Sequence, residues 1–269
     1  MTIKEIGRSG CRIVFDYQKN KVIKFSANQQ YNQRLRKQYQ KQKEFSDSFF
    51  KTPLVYSYLD TELLNNFSMD LVYGKNFFEY IIHSDSKELL NFSEVIVNYL
   101  NNNIANAKEV KLNSNILTSK IIDIENKINM PSLSKYFNFI KDNSFDSFLE
   151  GRCHGDFTLS NIIFNKEYHL IDFLDNIFES PIFDLIKIQQ DTLHNYCFVL
   201  YNKYDYKIKI FLDYLNNKIE KDINIKYYNS YICLSILNLL RIIPYSLDIE
   251  KQQLIKKLSY YDTYIANSR

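Results

Sequence analysis

Three oxygen-bearing side chains fall within one short stretch, 153-CHGDFTLSNIIFNKEYHLIDFLD-175: Asp156, Asn161 and Asp172. They stand among isoleucine, leucine and phenylalanine runs that read as buried strands. A carboxylate in such surroundings is costly unless it has a partner, and a metal ion is one. Lys24, in 21-KVIKFS-26, adds a cation from an earlier part of the chain. Phosphoryl transfer asks for this set: a group that orients the acceptor hydroxyl, oxygen ligands for Mg²⁺ and a positive charge for phosphate. The spacing lets the three oxygen donors meet. A loop after 153–157 returns Asn161 towards Asp156, and a hairpin over 161–173 carries Asp172 back to the same end. The plain alternative is a buried hairpin with solvated turn carboxylates.

The elements that must position these residues can be read from periodicity and breakers. Strands are expected at Ile3–Ile6, Arg12–Tyr17, Lys21–Ser26, Leu54–Leu59 and Asn66–Tyr73. The run 28–50 lacks Gly and Pro and predicts a helix that stops before Pro53. After Gly74 the spacing of Leu89, Leu90, Val95, Ile96 and Leu100 is helical, and helical character is expected through Leu149. The apolar runs 161–164 and 169–173 straddle 165-NKEY-168 as a hairpin, and from Pro181 onward the pattern is helical again.

Bulk properties exclude several classes. The chain has 269 residues, 45% hydrophobic, enough for a large domain or two lobes. Its 34 basic and 31 acidic residues leave a net charge of +3, which gives nucleic acid no support as a partner. The four cysteines form no CxxC pair, so a structural zinc is not expected. Neither an apolar leader nor a membrane-length apolar run is present, and the expectation is a cytoplasmic protein with reduced thiols. With 22 Tyr and 20 Phe, single aromatics carry little functional weight.

The pattern H-G-D-x-x-x-x-N at 154–161, followed by I-D-F at 171–173, resembles the catalytic segment of the aminoglycoside phosphotransferase and choline kinase superfamily. These are small-molecule kinases of protein-kinase-like fold. The resemblance implies an α+β, bilobal protein. Residues 1–73 would form a small β-rich N-lobe over the nucleotide, and 74–269 a larger helical C-lobe with the catalytic loop, metal site and acceptor pocket. ATP and Mg²⁺ would be the cofactors and a hydroxyl-bearing small molecule the partner. Asp156 would orient and deprotonate the acceptor hydroxyl, Asn161 and Asp172 would hold the metal, and His154 and Asp184 would brace the loop. Lys24 would neutralise the α- and β-phosphates. Gly7 and Gly10, in 7-GRSG-10, would bend a hairpin over the phosphates, although an ordinary β-turn explains them equally well. Glu44 is the expected carboxylate partner of Lys24, with Gln40 as the alternative occupant of that place. Met69, Asp70 and Val72 would contact adenine, the last two through the backbone.

Departures from protein kinases point to a small acceptor. Gly155 replaces their arginine, Thr158 their phosphate-contacting lysine and Leu174 the glycine after Asp-Phe. Asp172 and Asp184 are only 12 positions apart, too close for a long activation segment. Asp175, Glu179, Asp191 and Arg241 are the candidate acceptor contacts; an ion pair of Arg241 with Asp184 or Asp191 is an alternative use. His194 is a further candidate selector or, alternatively, only a helix-face residue, and the basic run 34–43 reads as a solvated helix face. A neutral sugar or polyol is the expected acceptor, with choline-like or aminoglycoside acceptors, or a non-catalytic binding protein of the same shape, as alternatives.

Overall fold

The computed structural model describes residues 2–6, 10–61, 63–143, 145, 147–224 and 228–267. The chain opens with β1 (Thr2–Ile6), β2 (Arg12–Asp16) and β3 (Lys21–Phe25), joined as antiparallel neighbours. Asn20 closes the β2–β3 turn at φ 50°, a left-handed position that Asn tolerates. The Asn28 side chain then accepts the Tyr31 N–H at 3.0 Å, capping a short turn that leads into α1 (Asn32–Glu44). Next come β4 (Val55–Leu59) and β5 (Asn66–Asp70), completing a five-stranded sheet of order β1–β2–β3–β5–β4.

The buried face of this sheet shows strand periodicity. Val22 and Lys24 alternate with half-buried neighbours and stand opposite Met69 and Phe67. Cys11, Val22, Phe67 and Met69 pack with Tyr31 and Leu35, the last from α1. Lys24 is thus a cation on a core face, and it must find a partner there.

The rest of the chain is mainly helical: α2 (Phe77–His83), α3 (Ser86–Ala105), α4 (Ser114–Ile128) and α5 (Ser134–Asp142). β6 (Lys108–Lys111) and β7 (Ser147–Glu150) flank α4 and α5. β8 (Ile162–Phe164) and β9 (Tyr168–Leu170) form the expected hairpin. The C-terminal part holds α6 (Pro181–Thr192), α7 (Tyr196–Tyr201), α8 (Tyr206–Asp222), α9 (Tyr228–Leu240), α10 (Asp248–Leu258) and α11 (Asp262–Asn267).

Two compact units result. The first comprises Met1–Glu88 with His154–Asn176, and the second Leu89–Cys153 with Ile177–Arg269. In the first, the β8–β9 hairpin is tied to its neighbours by backbone bonds: Lys75 pairs with Phe164 and Lys51 with His169. In the second, α8 and α9 pack against α6, which is buried along almost its whole length. Its polar side chains are engaged: Tyr99 donates to Asp184 at 2.8 Å, Tyr231 to Gln189 at 2.5 Å and Asn238 to Gln190 at 3.0 Å.

The structure corrects two local readings. The span 77–149 is not helical throughout, since β6 and β7 pair with Val110 opposite Phe148 and Lys108 opposite Glu150. Partners some forty positions apart leave no local period to detect. The hairpin also ends early, because the chain leaves β9 at Leu170 and turns to φ 61° at Asp172.

Candidate active site

Asp156 and Asn161 meet through a short 3₁₀ turn, Leu159–Asn161, which folds the chain back within five residues. The Asn161 amide donates to the Asp156 carboxylate at 3.0 Å and to the Asp156 carbonyl at 2.8 Å. Both bonds use Nδ2, so Oδ1 is left for a cation. Fully buried Phe157 and Leu159 anchor the loop between these polar groups, and Phe157 packs edge-on against Phe50. Buried apolar residues thus alternate with the oxygen-bearing ones and hold them in place.

His154 is a brace. Its Nδ1 accepts the Asp156 N–H at 3.2 Å, so the other nitrogen, Nε2, carries the proton that is donated to the Ile171 carbonyl at 2.9 Å. This links the loop to the segment that carries Asp172. The ring is fully buried and packs on Phe173 at 4.3 Å. Burial, more than the nearby charges, drops its pKa to about 4 and keeps it neutral. Asp156, Lys41 and Asp172 all act on this one imidazole, so they share its neighbourhood.

Gly155 sits between them at φ 90°, where a side chain is strained. A Cβ there would come within 2.3 Å of the Leu174 carbonyl. The glycine therefore lets the 154–156 loop press against 174–176.

Asp172 adopts the left-handed conformation, which Asp tolerates at a cost. Its carboxylate is 51% exposed and accepts the Lys24 ammonium at 2.5 Å. Burial pulls the Lys24 pKa down, but the charge and hydrogen bond of Asp172 outweigh it, so the pKa is raised. Glu44 and Gln40 are both exposed on α1, and Glu44 is not among the charges that act on Lys24. The carboxylate that Lys24 meets here is Asp172.

α1 contributes in a way the sequence reading did not foresee. Arg34 Nε donates to both oxygens of Asp175 at 3.1 Å, and Gln38 donates to Asp175 at 3.3 Å. Lys41 donates to the Leu174 carbonyl at 2.9 Å. Part of the run read as a solvated face is instead a clamp on the segment after Asp172. One signal was present: Tyr31, Leu35, Gln38 and Gln42 fall at helical spacing and are all buried, two of them polar.

The remaining expected residues are placed as follows. Gly10 is exposed at φ 81°, and Gly7 lies outside the described residues. Met69 is buried and takes a contact from Gln42 Nε2 at 3.4 Å. Asp70 accepts the Tyr56 hydroxyl, while Val72 enters no backbone hydrogen bond among the described residues. Asp175 belongs to the first unit, where Arg34 and Gln38 hold it. Glu179, Asp184, Asp191 and Arg241 belong to the second. There Glu179 accepts the Cys153 thiol at 3.1 Å, Asp184 is bound by Tyr99, Asp191 is buried on α6 and Arg241 is half-buried after α9. His194 is also more than a face residue: it is buried with Nε2 2.9 Å from the Tyr261 hydroxyl.

The donor set suits a magnesium–nucleotide complex. One half-exposed carboxylate and one amide oxygen are few for a free-standing cation site, and among the described residues no group of three or more His, Cys, Asp or Glu gathers. Mg²⁺ bound with a nucleotide takes one or two protein oxygens and completes its shell with phosphate and water.

No protein-family profile and no curated protein sequence matches the chain. Solved structures do, and the fold is the one seen in aminoglycoside phosphotransferases. A thermostable mutant of aminoglycoside phosphotransferase APH(4)-Ia, in ternary complex with ADP and hygromycin B, superposes with a TM-score of 0.64 at 11% identity, over 99% of this chain and 93% of that one. Aminoglycoside phosphotransferase APH(3'')-Id from Streptomyces rimosus gives 0.58 at 11% identity, over 89% and 92% of the two chains. Among the described residues no helix is long and apolar enough to cross a membrane.

Proposed function

We propose that the chain is an ATP-dependent phosphotransferase that moves the γ-phosphate to a hydroxyl of a small molecule. The observation that carries this reading is the Asp156–Asn161 pair held by neutral His154 beside the Asp172–Lys24 pair, all within one unit. Asp156 orients the acceptor hydroxyl and takes its proton. Lys24 turns from Asp172 to the nucleotide phosphates. Asn161 Oδ1 and Asp172 would hold magnesium, which would supply charge neutralisation on the triphosphate. Positioning on a rigid loop provides most of the remaining acceleration.

For the acceptor, the fold neighbours favour an aminoglycoside over the neutral sugar expected from the sequence, since one is bound to hygromycin B. The twelve-position spacing from Asp172 to Asp184 supports a small acceptor over a protein. The test is ATP consumption against a panel of aminoglycosides, sugars and amino alcohols. Asp156→Asn should lower kcat by roughly 10²–10⁴-fold while nucleotide affinity stays near wild type. Asp172→Ala should weaken magnesium-dependent nucleotide binding. Wild-type turnover in both variants would rule the site out.

A further inference from the structure

α1 carries five cations, Arg34, Arg36, Lys37, Lys41 and Lys43, and their uses differ. Arg34 pairs with Asp175, Arg36 pairs with Asp60, Lys43 stands over the Tyr39 ring and Lys37 is exposed. Lys41 is half-buried and gives its ammonium to a backbone carbonyl, that of Leu174, at 2.9 Å. Positions 34, 38 and 41 share one face of the helix, the face turned to residues 174–175.

The Leu174 carbonyl is also where the Asp156 loop presses in. A Cβ on Gly155 would stand 2.3 Å from that oxygen and 3.1 Å from the Lys41 ammonium nitrogen. The ammonium therefore uses space that a glycine at 155 leaves open. Two further ties join the same segments. The Leu174 N–H donates to the His154 carbonyl at 3.2 Å, and the Asn176 amide to the Gly155 carbonyl at 3.5 Å. The first is at the upper limit of an ordinary N–H···O bond and the second is beyond it. The charge-assisted bond from Lys41 is shorter than either.

Charge reinforces this geometry. Burial lowers the His154 pKa most; Asp156 then raises it, Lys41 lowers it and Asp172 raises it. The two carboxylates thus favour an imidazolium, whose Nδ1 would carry a proton and could no longer accept the Asp156 N–H. Lys41 opposes them and so protects that bond.

We propose that Lys41 is a positioning residue for Asp156: its ammonium, seated beside Gly155, pins the Asp156 loop to the segment that follows Asp172. α1 thereby sets the carboxylate on the acceptor side against the one on the metal side. The role rests on the phosphotransfer reading above.

The test compares Lys41→Met with wild type, with Lys37→Met as the control on the same helix. Hydrogen exchange of the free full chain, read by NMR, follows the Asp156 amide, held by His154 Nδ1, and the Leu174 amide, held by the His154 carbonyl. Both should exchange about tenfold faster in Lys41→Met, while the β3 amides keep wild-type protection. With an acceptor from the panel that supports ATP consumption, kcat should fall roughly 10–10²-fold while KM for ATP changes less than about twofold. Lys41→Arg, which keeps the charge and a donor for the carbonyl, should recover most of both effects, and Lys37→Met should show neither. Wild-type exchange at Asp156 and Leu174 in Lys41→Met would overturn the proposal, as would equal acceleration at β3, which would mark a general loss of stability. Faster exchange with unchanged kcat would reduce Lys41 to a structural residue and overturn the positioning role. Absence of turnover in the wild type would overturn the phosphotransfer reading, while the exchange result would still judge the contact.

Discussion

At the scale of single residues, the site depends on side chains whose alternatives are excluded by physics. Gly155 has neither space nor a suitable φ for a Cβ. Gly155→Ala is therefore expected to destabilise the protein by about 1–3 kcal/mol and to depress turnover more than that loss explains, because the Asp156 loop must retreat from Leu174. Denaturant unfolding alongside kinetics checks this, and wild-type kcat in a destabilised variant would contradict it. Lys24 makes a second case. Its raised pKa depends on Asp172, so Asp172→Asn should let burial win and bring the Lys24 pKa down. Direct ¹⁵N detection of the Lys24 ammonium would show it; no fall would mean that Asp172 is not the dominant partner.

At the scale of elements, α1 acts as a clamp on the segment after Asp172. Arg34 and Gln38 grip Asp175, and Lys41 grips the Leu174 carbonyl. Arg34 is 48% exposed and Asp175 is 14% exposed, so the ion pair adds only about 0.2–1 kcal/mol to stability. Its greater effect is positional, because Asp175 is three residues from Asp172. Arg34→Ala and Asp175→Ala should each raise the Mg²⁺ concentration needed for half-maximal turnover. The double variant should be no worse than the more affected single one. Strictly additive effects would show that the two residues act separately.

At the scale of the whole molecule, two buried histidines bias the pH dependence of stability. His154 and His194 are held neutral, with pKa values lowered from 6.5 to about 4 and about 3. Between the unfolded and folded values, the unfolded chain binds protons that the folded chain refuses. Stability therefore falls as pH drops below 6.5 and rises with pH across that window. His154 alone contributes on the order of 3 kcal/mol to this loss by pH 4. Urea midpoints measured from pH 7.5 to 4.5 should decline, and the decline should be shallower in His154→Gln, whose amide cannot titrate. An unchanged slope would indicate that the His154 pKa is ordinary.

The sequence by itself determined the first five strands, a helix within the run 28–50, the 161–173 hairpin and the close approach of Asp156 to Asn161. All of these rest on periodicity, breakers and short chain separations, which local chemistry records. It also marked Asp172 and Lys24 as residues in need of partners. Only the tertiary structure decided that they partner each other across 148 positions, that Glu44 points to solvent while Arg34, Gln38 and Lys41 clamp the 174–175 segment, and that β6 finds β7. The reason is physical. A pairing between distant segments is set by which buried faces close on one another, and no local pattern along the chain carries that information.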